Sequence, residues 1–166
     1  MKETQNTVWK RPLDQTRLPY WVFAVYGFIG LFLYFLPFLY TMNNHQPTFV
    51  SGFSMFAFLE DTYPSLHNGV NMYLIGYVSY GLLLVLGLFG LFSKERFFRL
   101  ILALSAVILL AQCGCEIAGI ILLSQCESMH LFLEFGSYLS VILSGVVLLF
   151  LIVYLILKRK KLPRVD

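Results

Sequence analysis

Between residues 18 and 93 this sequence has no lysine or arginine, and between residues 100 and 157 it again has none. A soluble domain spreads charge along the chain, and about a quarter of its residues carry one. Here 13% do, against 58% hydrophobic residues and a mean hydropathy of +0.75. That excludes an ordinary soluble domain, and 166 residues leave no room for a separate one beside a membrane domain. Cysteine is scarce as well: three thiols do not make a disulfide framework. The sequence also has no Asn-x-Ser/Thr sequon, no phosphate-cradling glycine loop and no metal-ligand spacing. The only His–Cys pairing is Cys126 with His130 in a short loop. A non-enzymatic protein without cofactor or metal is the expectation.

What is there in quantity is apolar sequence, in four runs at residues 19–41, 71–92, 101–123 and 135–157. Each meets the roughly 20 residues that a helix needs to cross a bilayer. The expected fold is therefore all-α, an integral membrane four-helix bundle of antiparallel up-down spans. Residues 1–18 form a polar arm, residues 42–70 the one sizeable outer loop, and residues 158–166 a basic tail. All twelve basic residues fall before the first run, between the second and third, or after the fourth. This is the positive-inside pattern for both termini in the cytoplasm of a multi-pass, plasma-membrane protein, bacterial in character. The net charge of +3 thus reports topology and not nucleic-acid binding. Lys158, Arg159, Lys160 and Lys161 would lie on the lipid surface and attract anionic lipid by about 1 kcal/mol each.

In the first run, Tyr20 and Trp21 mark one interface and Tyr40 the other. Pro37 is expected to bend that helix and free the carbonyl of Leu33. Residues 49–59 are too apolar for a solvated linker and too short to span, which suits a re-entrant or interfacial segment. His45, Glu60, Asp61 and His67 sit in the same loop at no recognised metal spacing. Small residues mark packing faces: Gly76 and Gly87 with Ser79 and Gly90 on the second run, and Gly136, Ser140 and Ser144 on the fourth. On the third run, Gly114 and Ala118 join Ala111 and Cys115. Cys113, Cys115 and Cys126 are expected to stay free as small packing residues.

The third run also carries the one acid inside any span. At 100° per residue, Ser105, Gln112, Glu116 and Gly119 share a stripe about 60° wide. A charged carboxylate is costly at that depth, so Glu116 must face protein or water. Counting about 1.5 Å per residue places Tyr34, Tyr77, Ser79, Ser140 and Ser144 at its level on the other spans. These five, with Gln112 and Glu116, form a candidate polar site of seven residues.

Known four-span families mostly fall away. Vitamin K reductase relatives need a CxxC, and Cys113-Gly114-Cys115 is not one. Claudins need a tryptophan and paired cysteines in the first outer loop, tetraspanins a Cys-Cys-Gly in the second, and small multidrug exporters an acid in the first span. The order Pro37, Ser51-Gly52, Gly136-Ser-Tyr-Leu-Ser140 resembles small bacterial membrane proteins, a resemblance that transfers no function. Three functions stay open. The first is an auxiliary, assembly or regulatory subunit of another membrane component, or a homo-oligomer. The second is a small transporter or amphiphile-binding protein using Glu116 as a proton, cation or ligand site. The third is an immunity or stress-protection protein.

Overall fold

The computed structural model describes residues 17–43, 46–56, 67–124 and 131–160. The sequence-based expectations for His45, Glu60, Asp61, Cys126, His130 and Lys161 lie outside the described residues, as do the side chains of His67, Arg159 and Lys160. Four helices and three short strands follow in chain order. They are α1 (Leu18–Leu33), β1 (Pro37–Asn43), β2 (Gln46–Ser51), α2 (His67–Phe92), α3 (Glu95–Ser124), β3 (Leu131–Leu133) and α4 (Phe135–Lys160). The helices α2, α3 and α4 are long and apolar enough to cross a membrane, and α1 is a shorter apolar helix.

The first apolar run is not one helix, which corrects the expected span over residues 19–41. Helix α1 starts with Pro19, whose fixed φ and missing N–H suit a first turn. It stops at Leu33, sixteen residues or about 24 Å long. The N–H of Leu36 donates back to the carbonyl of Leu33 at 2.9 Å, so the carbonyl that a proline bend was expected to free is bonded. Leu36 precedes Pro37, and that position disfavours helix. Pro37 then opens a strand, where a missing donor is tolerated. The following Phe38, Tyr40 and Thr41 are aromatic or β-branched and suit a pleated surface.

Residues assigned to loop in the sequence reading complete a sheet of order β2-β1-β3. Both pairings are antiparallel: Tyr40 faces Phe49 on β2 and Phe132 on β3, and Thr41 faces Thr48 and Leu131. Residues 49–51 are thus strand, where an interfacial or re-entrant segment was expected; residues 57–59 lie outside the described part. The hairpin is fastened to the end of α1 by Gly52 N–H donating to Leu36 O and Phe53 N–H to Tyr34 O. At the other side, Glu134 N–H and Ser137 Oγ both donate to Phe38 O, hanging the start of α4 on the sheet.

Helices α1 and α2 make the closest approach. A Cβ at Gly27 would stand 2.5 Å from the backbone of Tyr80 and Leu84, and one at Gly87 would stand 2.5 Å from Ala24 N. Gly30 and Gly90 instead leave room for the rings of Tyr80 and Tyr20. The far end from the sheet holds the described basic residues. There Arg17 Nη1 donates to Leu91 O at 2.7 Å, its guanidinium lies over the Phe98 ring, and Tyr20 Oη donates to Phe98 O at 2.6 Å. These contacts tie the start of α1 to the α2–α3 turn, so the molecule has a sheet end and a basic end.

A candidate polar site at Glu116

The stripe on α3 faces inward. Ser105, Gln112 and Glu116 are fully buried, and Gly119 is buried against the Tyr73 ring. Around Glu116 each of the four helices supplies a side chain. Tyr80 Oη from α2 donates to Glu116 Oε1 at 3.0 Å, and Gln112 Nε2 on α3 donates to the same oxygen at 3.1 Å. Ser144 Oγ from α4 is 2.5 Å from Glu116 Oε2. Tyr26 Oη from α1 donates to Ser144 Oγ at 3.0 Å. An acid with no cation beside it is tolerated in a low-dielectric interior only when its oxygens are hydrogen-bonded in this way.

Ser144 has more partners than one hydroxyl proton can serve. Besides Glu116 and Tyr26, its Oγ is 2.7 Å from Ser140 O, a pure acceptor one helical turn back. A serine hydroxyl donates once and accepts twice. Giving its proton to Ser140 O leaves it accepting from Tyr26 and from a protonated Glu116. Giving its proton to Glu116 Oε2 fits the carboxylate.

Of the seven residues of the candidate polar site, Gln112, Glu116 and Ser144 meet directly. Ser140 contributes its carbonyl, while its Oγ donates to Ser137 O at 2.8 Å. Tyr34 borders the cluster, since a Cβ at Gly76 would be 3.0 Å from Tyr34 Oη and 3.4 Å from Glu116 Cγ. Its hydroxyl nevertheless donates to Tyr73 O at 2.6 Å. Tyr77 stays on the flank, its ring tilted against Tyr34 and edge-on to Phe53. Ser79 turns to its own helix and donates to Ile75 O.

Tyr80 was not among the seven, and the reason is geometric; Tyr26, which reaches Glu116 only through Ser144, was not among them either. Helical side chains lean toward the N-terminus of their own helix. On α2 that direction is the sheet end, and on α3 it is the basic end. Tyr80 and Glu116 therefore lean toward each other although their Cα levels differ, and Cα counting selects Tyr77 instead. The usable signal was the buried face of α2, on which Tyr73, Gly76, Tyr80 and Gly87 recur at helical spacing.

The expected packing glycines divide. Gly76 lines the cluster, Gly87 meets α1, and Gly136 meets Pro37 O and the Phe38 ring rather than another helix. Gly114 is exposed with nothing within 4 Å of an added Cβ, and Ala111 beside it is exposed too. At Ala111 and Gly114 the α3 small-residue face is thus not where α2 or α4 makes its close approach. Cys113 and Cys115 are free and half-buried. Lys158 is exposed, its Nζ 5.8 Å from the Tyr154 ring centroid.

Fold and site together define a mostly helical protein with three candidate membrane-crossing helices and one enclosed carboxyl. Comparison with protein-family models, curated proteins and solved structures finds no match.

Proposed function

We propose that this is a non-enzymatic, multi-pass subunit of the plasma membrane, bacterial in character, that assists, assembles with or regulates another membrane protein. In this reading α1 is the fourth span, both termini are cytoplasmic, and the basic end lies against anionic lipid. Large exposed apolar side chains on all four helices support immersion in lipid, among them Phe28 and Phe32 on α1, Val85 on α2, Val107 on α3 and Leu149 on α4. The Glu116 cluster then fixes the register of the four helices, at about 1 kcal/mol per contact.

What carries the partner reading is the uncovered face of α3. Helices in lipid associate by close backbone approach at small residues. Ala111 and Gly114 are exposed on such a face, and among the described residues nothing comes within 4 Å of a Cβ added at Gly114. The occupant is a transmembrane helix of another protein or of a second copy.

Purification of the tagged protein from its own membrane in mild detergent tests this. A stoichiometric partner or a homo-oligomer is expected. Gly114→Leu should abolish it while leaving the fold intact, since an added Cβ there meets nothing within 4 Å among the described residues. A monomer without a partner, or a partner indifferent to Gly114→Leu, contradicts the proposal.

A further inference from the structure

We propose that Glu116 is a proton-loading site served by internal water, and that the bundle passes protons through it. This goes beyond the partner reading and is independent of it. Two observations carry it.

The first is the double role open to Ser144. Its hydroxyl proton has two acceptors within reach, Ser140 O and Glu116 Oε2. When Glu116 is a neutral acid, its own proton lies toward Ser144 Oγ and Ser144 donates to Ser140. When the proton leaves, the serine hydroxyl turns to Glu116 Oε2. Tyr80 and Gln112 donate to Oε1 in both states. The same heavy-atom framework thus accepts the acid and the carboxylate by rotating one hydroxyl, which keeps the reorganisation cost of proton exchange small.

The second is a set of unsatisfied polar atoms on both sides of the cluster. Ser105 Oγ, Gln112 Oε1 and Tyr73 Oη are buried and make no well-formed hydrogen bond among the described residues, although the Ser137 hydroxyl stands beside Tyr73 Oη. Along α3, Gln112 lies about 6 Å and Ser105 about 16 Å from Glu116 toward the basic end. Along α2, Tyr73 lies about 10 Å from Tyr80 toward the sheet end. Buried polar groups are paired with protein or with ordered water. Water on these atoms would extend the Glu116 cluster in both directions.

The titratable groups facing Glu116 are Tyr26 and Tyr34 from α1, Tyr73 and Tyr80 from α2, and Cys113 on α3. Helix α4 presents the hydroxyls of Ser144 and Ser140. In the step itself the carboxyl O–H bond of Glu116 breaks and water on one side takes the proton. Water on the other side then delivers one, restoring the acid. One proton moves, no redox partner is involved, and the transient carboxylate is held by three donors.

The test is proton flux in proteoliposomes loaded with a pH-sensitive dye, driven by a potassium diffusion potential with valinomycin. Wild-type vesicles should acidify or alkalinise at least about tenfold faster than protein-free ones, a conservative share of what a positioned acid–base group contributes. Glu116→Gln should return the rate to the protein-free value while the protein remains monodisperse and helical. If that variant does not fold, Ser144→Ala decides: a slowed flux supports the proposal and an unchanged flux overturns it. Wild-type flux equal to empty vesicles, or folded Glu116→Gln as fast as wild type, also overturns it. A purely structural acid moves none of these rates.

Discussion

Ser144 joins more of the molecule than any other small side chain, receiving Tyr26 from α1, meeting Glu116 on α3 and reaching back to Ser140 on its own helix. Ser144→Ala leaves both Tyr26 Oη and Glu116 Oε2 without that partner. A loss of about 2 kcal/mol is expected in reversible unfolding, because orphaned buried groups cost more than a single bond contributes. Tyr80→Phe removes one of two donors on Oε1 and should cost less, about 1 kcal/mol. Equal losses for the two variants would contradict the shared-serine geometry. At this scale the sequence discloses the acid and its inward stripe, because a lone carboxylate in an apolar run has nowhere else to face. It does not disclose which hydroxyls arrive. Tyr80 and Tyr77 differ by three residues, and only the opposite lean of side chains on antiparallel helices decides between them.

The helices α2, α3 and α4 were legible from uninterrupted apolar sequence between charged or polar flanks. The end of α1 was not. Hydropathy runs unbroken through Leu33 to Thr41, and an apolar strand reads the same as an apolar helix over so few residues. Pro37 was visible but ambiguous, since proline bends a membrane helix as readily as it opens a strand. The strands β2 and β3 depend on pairing with β1 across distant sequence, which no local pattern shows. Glycines separate by what they touch. Gly27→Val should disrupt the α1–α2 contact, where a Cβ already meets backbone at 2.5 Å. Gly145→Ala should be neutral or stabilise by up to about 1 kcal/mol, because its Cβ meets nothing and alanine is the better helix former. Thermal unfolding of the two variants in detergent checks the contrast; similar midpoints would contradict it.

For the whole molecule, the antiparallel helix order puts Arg17, Lys94 and Lys158 at one end and the sheet at the other. In a bilayer this predicts that single cysteines at Lys94 and Lys158 react with an impermeant maleimide from the same side, and one at Phe53 from the opposite side. Labelling of all three from one side would contradict the topology. What makes the four helices a unit, on this account, is one enclosed carboxyl that takes bonds, directly or through Ser144, from every helix. A double-mutant cycle combining Tyr80→Phe with Glu116→Leu, which removes the acceptor oxygen, read as unfolding free energy in lipid-like micelles, measures that coupling most directly. A coupling energy of about 1 kcal/mol is predicted; strictly additive effects of the two substitutions would show that these side chains do not meet.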